Sequence, residues 1–155
     1  MRNPARFLLR VPVPWVFVLA YLFGVIPERH SSYMPAKVGE HSTLVGAIFF
    51  SAGAIIAGWA LAIFRKARTT TVPGKSSAAI VMWGPYRFTR NPMYVGLTLA
   101  YIGEAGLLHQ VWPLALLPLV LAYVNWIVIP LEESKLREVF ADEYEQYRSR
   151  VRRWV

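Results

Sequence analysis

Four apolar segments divide the chain, and polar, turn-prone stretches separate them. At about 1.5 Å rise per residue, the second and fourth segments are long enough to cross the roughly 30 Å hydrocarbon core of a bilayer. The first and third are shorter and need flanking residues or local thinning of the bilayer. The pattern predicts an all-α polytopic membrane helical bundle of about four transmembrane helices, in a single domain over residues 1–155. The predicted spans are residues 11–26, 44–64, 93–108 and 111–131.

Residues that favour helix ends support the boundary of the third span, and a helical tail is predicted after the fourth. Asn91 suits the N-cap of the third helix, and Pro92 suits its first turn, where an N–H is not needed.

In the tail, residues 132–155, apolar side chains recur at intervals of three and four. This spacing predicts a cytosolic C-terminal amphipathic helix that lies on the membrane or packs against the central loop, residues 65–92. The stripe consists of Leu136, Val139 or Phe140, Tyr144, Tyr147, Val151 and Trp154.

Composition and charge favour a membrane protein over a soluble domain. Apolar residues make up 55% of the 155-residue chain, yet its formal net charge is +8. Basic residues concentrate in the central loop and the tail, whereas only Arg29 and Lys37 lie between the first two spans. Because positive charge is retained on the cytoplasmic side, both termini and the central loop are predicted to be cytosolic. The charges lie between apolar runs, so anionic lipid head groups are the expected partner and nucleic acid is not.

Several kinds of chemistry are excluded by what the sequence lacks. There is no cysteine, which rules out a disulfide framework, a thiolate zinc site and a cysteine nucleophile. No Walker loop and no G-x-G-x-x-G, H-E-x-x-H or G-x-S-x-G motif occurs. The histidines at positions 30, 41 and 109 fall in predicted outer loops, which argues against a diiron or haem site, and no metal site is predicted.

Polar residues at the cytosolic ends of the spans are the candidates for chemistry. Glu132 and Glu133 stand where the fourth span ends, either as an interfacial charge pair or as a site for a cationic ligand. Arg90, at the start of the third span, has two possible roles. It is either a topology anchor whose guanidinium extends to the membrane surface, or a bidentate binding group for a carboxylate or phosphate. Tyr86 and Tyr94 flank Arg90 and belong either to the aromatic belt or to a ligand pocket.

Two further polar residues lie within the spans. Asn125 precedes Glu132 by seven residues and shares its helical face, so it extends a polar seam inward. Glu104 is a functional candidate because an acid inside a span is costly. It lies near the outer end of the third span beside His109, and it is not placed in the active site.

Two motifs in this order resemble the signature of the isoprenylcysteine carboxyl methyltransferase and phospholipid methyltransferase superfamily. The first is G-P-Y-R-F-T-R-N-P-M-Y-V-G over residues 84–96. The second follows about 35 residues later and consists of E-E-x-x-L from Glu132, F-A-D-E-Y-x-x-Y from Phe140 and V-R-R-W from Val151. The resemblance extends from Thr69 to the last residue, and the first two spans match only in hydropathy.

This resemblance implies an integral-membrane methyltransferase that binds S-adenosylmethionine without a Rossmann domain. The methyl acceptor is expected to be hydrophobic or lipid-like, either a carboxylate of the isoprenylcysteine (prenylated) type or a phospholipid amine. Arg90 is the predicted catalytic residue and is expected to orient an acidic acceptor. Many members have histidine where this chain has Asn91, which leaves open any contact that needs an imidazole. The predicted cofactor-binding residues are Tyr86, Arg90, Asn91, Pro92, Tyr94, Gly96, Glu132 and Glu133.

Two other functions stay open. Membrane sterol reductases share a related R-x-P-x-Y-x-G segment and use NADPH, but their tails lack the Glu-Glu-x-x-Leu element. A non-catalytic membrane subunit is the second alternative. The central loop is longer than helix packing requires, and connections of more than about 12–15 residues are usually functional, which favours an enzyme.

Overall fold

A computed structural model describes residues 12–30, 41–67 and 80–155, and within these ranges the chain forms helices and no strand. This confirms the all-α prediction. Residues 68–79 of the predicted central loop and Lys37 lie outside the described ranges. The helices are α1 (Val13–His30), α2 (His41–Lys66), α3 (Pro92–Leu107), α4 (Trp112–Tyr123) and α5 (Ile129–Arg150), with a 3₁₀ turn at Gly84–Arg87 and a π-helical turn at Val124–Val128 that joins α4 to α5.

Two of the helices are long and apolar enough to cross a membrane. They are Ser42–Lys66 and the continuous stretch Trp112–Arg150, and only 17% and 28% of their most apolar windows are buried. A core helix of a soluble protein would be largely buried, whereas here large apolar side chains such as Ile55 (68% exposed) and Trp126 (73% exposed) point outward. An outward apolar surface of this extent fits contact with lipid tails. Helix α3, with 16 residues, is shorter than a full span, at about 24 Å.

Glycines bring α2 and α3 into backbone contact. A Cβ added at Gly96 would lie 2.6 Å from the backbone nitrogen of Ala57 and 2.7 Å from the carbonyl oxygen of Gly53. Gly46, seven residues before Gly53 on α2, and Gly103, seven residues after Gly96 on α3, repeat this close approach toward the opposite end of the antiparallel pair. Helices that associate in lipid rely on such small residues, because van der Waals packing replaces the hydrophobic effect between them.

An aromatic cluster joins α1 to α3 and α4. The rings of Tyr21 and Tyr101 meet edge to face at 5.0 Å. The hydroxyl of Tyr101 donates a 2.7 Å hydrogen bond to the carbonyl oxygen of Pro113, and the hydroxyl of Tyr21 donates a 2.9 Å hydrogen bond to Gln110. Both phenols are buried and hydrogen-bonded, as buried tyrosines usually are. The cluster sets the position of α3 relative to α4.

Helix α5 consists of two arms that meet at Ala141. The backbone there has φ 40° and ψ −114°, which lies outside the helical region. Arg137 in the first arm donates a 2.7 Å hydrogen bond to Glu145 in the second. The break divides the predicted apolar stripe, so that Tyr144 and Tyr147 of the second arm are buried while Val139 of the first is 50% exposed. The second arm thereby packs against the segment that leads into α3.

Candidate active site

Two polar segments that are distant in sequence meet at one end of the bundle, and a buried ion-pair cluster joins them. Glu133 is 7% exposed. Its Oε1 lies 2.9 Å from Nη1 of Arg90, and its Oε2 lies 2.8 Å from Nη2 of Arg153. Nη1 of Arg90 also donates a 3.1 Å hydrogen bond to the hydroxyl of Tyr144. Buried charges are tolerated when they are paired and hydrogen-bonded. The negative charge of Glu133 is balanced by the two arginines.

The adjacent acid, Glu132, has a different environment. Its Oε1 accepts a 2.7 Å hydrogen bond from the hydroxyl of Tyr94, and among the described residues no cation forms an ion pair with it. Glu132 follows the apolar part of the fourth span. The pKa of Glu132 is raised to about 7. Burial raises it most, the hydrogen bond from Tyr94 lowers it, and the charge of the neighbouring Glu133 raises it. A carboxyl of this kind ionises readily when a cation approaches.

Hydrogen bonds attach the end of the chain to the residues that precede α3. The backbone N–H of Arg90 donates to the carbonyl oxygen of Arg152 at 2.9 Å. The carbonyl oxygen of Arg153 accepts from the side chains of Thr89, at 3.0 Å, and Asn91, at 2.9 Å. Asn91 and Pro92 occupy the predicted positions at the start of α3, but the Asn91 side chain forms no capping hydrogen bond. Its amide instead holds the C-terminal segment.

Tyr86 lies in the 3₁₀ turn, between α2 and the second arm of α5. Its ring stacks on Phe64 of α2 at 5.1 Å, and its carbonyl oxygen accepts a 2.7 Å hydrogen bond from the hydroxyl of Tyr147. Burial raises the pKa of Tyr86, and the charges of Tyr147 and Glu132 raise it further.

A sequence profile of the phospholipid methyltransferase family matches residues 41–143, which is 103 of the 155 residues. The chain belongs to the phospholipid methyltransferase family. Comparisons with curated proteins and with solved structures gave no match. The family match runs from the start of α2 through the first arm of α5, so it includes Arg90, Glu132 and Glu133 but not Arg153. It confirms the superfamily resemblance and supports a membrane methyltransferase of the phospholipid and isoprenylcysteine type.

In this phospholipid methyltransferase family member, the predicted site residues divide into two groups. Direct contacts join Arg90 to Glu133 and Tyr94 to Glu132. The side chain of Asn91 contacts Arg153, and the backbone of Tyr86 contacts Tyr147. Pro92 is buried at the start of α3. Gly96 is packed against α2, where an added Cβ would meet the backbone of Ala57 and Gly53.

Sequence reasoning missed the partners that the C-terminal segment supplies. Arg153 forms an ion pair with Glu133, and Tyr144 accepts a hydrogen bond from Arg90. Both residues lie in the motifs of the superfamily resemblance. Their positions in those motifs could have marked them as candidate site residues. The sequence pattern does not specify, however, which of the two acids forms the ion pair with Arg153.

A cleft of about 580 Å³ lies between α3 and α4, and one of its lining residues, Trp154, directly follows Arg153 of the charged cluster. Its walls are mainly apolar and include Val95 and Leu99 of α3 and Ala122 of α4. At one end, Nε1 of Trp154 donates a 3.0 Å hydrogen bond to Oδ1 of Asn125. Asn125 lies in the π-helical turn, a type of helical irregularity that is frequent at functional sites.

Proposed function

We propose that this phospholipid methyltransferase family member transfers a methyl group from S-adenosylmethionine to a lipid-like acceptor, at the site formed by Arg90, Tyr94, Glu132 and Glu133. One observation carries the proposal. Glu132 is a partly buried carboxyl without a cationic partner among the described residues, while the adjacent Glu133 pairs with two arginines. S-adenosylmethionine supplies a reactive methyl group on a sulfonium cation, and a carboxylate in a desolvated site attracts such a cation strongly.

The residues present fit this cofactor. Glu132 would hold the cationic part, and the Tyr94 hydroxyl fixes the orientation of the Glu132 carboxylate. Nε of Arg90 is buried and has no hydrogen-bond partner among the described residues. An unpaired buried donor is costly, and a carboxylate oxygen of a ligand would satisfy it. An amino acid cofactor with a cation and a carboxylate matches both groups.

The protein's contribution to methyl transfer would be positioning. In-line displacement needs the acceptor nucleophile aligned with the methyl carbon, and such alignment supplies a large part of the rate gain in reactions of this kind. Glu133 and Tyr144 hold the Arg90 guanidinium in one orientation. Arg90 would then orient an acidic acceptor, if the acceptor is a carboxylate, as well as the cofactor.

The charge of the site favours this proposal over the two alternatives. NADPH carries several negative charges, and an ionised Glu132 would repel them. A non-catalytic subunit gains nothing from a partly buried acid without a counter-ion, since such a group costs stability.

The same proposal includes an orientation, with the site and both termini in the cytosol and residues 1–155 forming one domain. The end of the bundle that carries the site also carries Arg65, Lys66 and Arg150, in agreement with the positive-inside rule. The chain has no cysteine, so a single cysteine placed at the exposed Ser149 provides a clean test. A membrane-impermeant thiol reagent should label Ser149→Cys in inside-out vesicles and not in right-side-out vesicles.

Purified protein titrated with S-adenosylmethionine and with NADPH tests the function. We expect saturable binding of S-adenosylmethionine that Glu132→Ala and Arg90→Ala abolish, with Glu138→Ala, an exposed acid of the same helix, as the control. Membranes incubated with methyl-labelled cofactor should then yield a labelled lipid. Base-labile label indicates an ester, and stable label indicates an N-methyl group. Saturable NADPH binding without a response to S-adenosylmethionine would overturn the proposal.

A further inference from the structure

The segment 82–88, which contains the 3₁₀ turn before α3, packs against the last turn of α2. Gly84 begins the turn with a φ of 65°, and a Cβ added there would clash with Cδ1 of Ile63. The Nζ atom of Lys66, the last residue of α2, lies 5.9 Å from the centre of the Trp83 ring, within the range of a cation–π contact. The segment therefore lies level with the end of the α2 span, where a membrane-crossing helix meets the lipid head groups.

Large apolar side chains of this segment are exposed. Phe88 is 74% exposed, and Met82 and Trp83 are exposed as well, whereas Tyr86 between them is buried against the protein. Aromatic side chains at the end of a span are typical of the membrane interface, because their rings bury apolar surface among the lipids at head-group level. The segment thus carries apolar surface that the described part of the chain does not cover.

The charges beside this apolar surface are all of one sign. Residues 59–67 and 80–89 contain no aspartate or glutamate, and their basic residues are Arg65, Lys66 and Arg87. All three are exposed, and none forms an ion pair within the described residues. Exposed cations next to exposed aromatic rings match the two parts of an anionic phospholipid, which are the negative head group and the acyl chains.

The sequence that joins α2 to this segment does not supply the complementary charge. Residues 68–79 contain Arg68 and Lys75 and no acidic residue. Covering the basic residues with this stretch would add positive charge to positive charge, which is unfavourable. An anionic lipid is favoured as the occupant because it brings both the missing negative charge and the apolar part.

We propose that the end of α2 and the segment 82–88 form a binding surface for anionic phospholipid of the surrounding leaflet. Arg65, Lys66 and Arg87 contact the phosphate groups, and Trp83 and Phe88 enter the boundary between head groups and acyl chains. Neighbouring phosphatidylcholine, which has no net charge, is bound less tightly.

The surface is joined directly to the charged cluster of the candidate active site. Thr89, which follows Phe88, is buried and donates a 3.0 Å hydrogen bond to the carbonyl oxygen of Arg153. Arg90 comes next and pairs with Glu133. A lipid bound at Phe88 and Arg87 therefore fixes the depth in the bilayer at which Arg90 is held.

The test uses a single fluorophore, which the absence of cysteine allows. Phe88→Cys carries bimane on the proposed surface. Ile55→Cys is the matched control, because Ile55 is an outward residue of α2 (68% exposed) that lies eleven residues before Lys66, about 16 Å along the helix axis. Each protein is placed in phosphatidylcholine vesicles with phosphatidylglycerol or phosphatidylcholine that carries a nitroxide on an acyl chain, at equal mole fraction. Quenching of bimane then measures which lipid occupies each position.

We expect phosphatidylglycerol to associate with the Phe88→Cys position at least about fivefold more strongly than phosphatidylcholine, since this is the contribution of a single basic residue near an anionic surface. At Ile55→Cys the two lipids should quench equally. The combined substitutions Arg65→Gln, Lys66→Gln and Arg87→Gln should remove the preference at Phe88→Cys and leave Ile55→Cys unchanged. High salt should weaken the preference in the protein without these substitutions, which provides a test if the triple variant does not fold.

Equal quenching of Phe88→Cys by the two lipids would overturn the proposal, and so would a preference that persists in the triple variant or is insensitive to salt. Quenching of Phe88→Cys by neither lipid would also overturn it, because the surface would then face water or be covered by protein. No measurement in this test involves S-adenosylmethionine or methyl transfer, so its outcome is independent of the proposed function.

Discussion

Replacing Glu132 by glutamine removes a charge while it keeps the shape of the side chain. The variant retains an oxygen that can accept the Tyr94 hydrogen bond, which is 2.7 Å long in the parent protein. It loses the negative charge that the proposed cationic cofactor requires. A hydrogen bond or contact to a charged group contributes about 1.5–3 kcal/mol, so we expect the affinity for S-adenosylmethionine to fall by about 10- to 150-fold.

The pH dependence of binding follows from the same carboxyl. Burial raises the pKa of Glu132 to about 7, and cation binding needs its ionised form. The affinity of the parent protein should therefore fall by about tenfold per pH unit below 7 and level off above it. In Glu132→Gln this dependence should disappear.

The stability of the protein without ligand should change with pH in the opposite sense. A carboxyl whose pKa rises from 4.5 in the unfolded chain to about 7 in the folded one binds more protons when folded. Stability is therefore highest below pH 4.5 as far as this group is concerned, and it decreases as pH rises to about 7. The difference corresponds to about 3 kcal/mol, which partial exposure of Glu132 reduces to about 2 kcal/mol.

Isothermal titration calorimetry with S-adenosylmethionine between pH 5.5 and 8 measures the binding effect, and chemical unfolding in detergent between pH 4.5 and 8 measures the stability effect. Glu138→Gln is the matched control, because Glu138 is an exposed acid on the same arm of α5. If Glu132→Gln binds the cofactor with the parent's affinity and pH profile, Glu132 is not the cation site.

Three further changes test the fold around the site by chemical unfolding in detergent. Glu133→Gln leaves the buried Arg90 without its carboxylate and should cost about 3–5 kcal/mol; a loss below 1 kcal/mol would contradict the buried ion pair. Gly53→Ala places a Cβ against the backbone of α3 and should lower the free energy of unfolding by about 1–3 kcal/mol. At Gly58 an added Cβ has nothing within 4 Å, so Gly58→Ala should raise the free energy of unfolding by up to about 1 kcal/mol. Equal effects of the two substitutions would contradict the close approach of α2 and α3. Ala141→Gly relieves the positive φ of 40° and should stabilise by about 1 kcal/mol; destabilisation would argue for a continuous helix.

Local features of the sequence determined where the helices form and which family the chain belongs to. Helix formation in an apolar run depends on residues within a few turns. The boundary at Asn91 and Pro92, the long segment of α2, and the apolar stretch of α4 with its π-helical turn therefore followed from hydropathy and end-preference alone. Arg90, Glu132 and Glu133 were also predictable as a group, since they lie in two motifs of characteristic spacing, whereas the pairing of Arg153 with Glu133 was not.

Only the tertiary structure decided how the two adjacent acids differ. Neighbouring residues on a helix point about 100° apart, so one of them meets Arg90 and Arg153 while the other meets Tyr94. Which acid faces which partner depends on the rotation of α5 against α3, and that rotation is set by packing between distant segments. The turn at Ala141, which brings the C-terminal segment to the site, and the cleft between α3 and α4 arise from the same long-range packing, for which the sequence carries no local pattern.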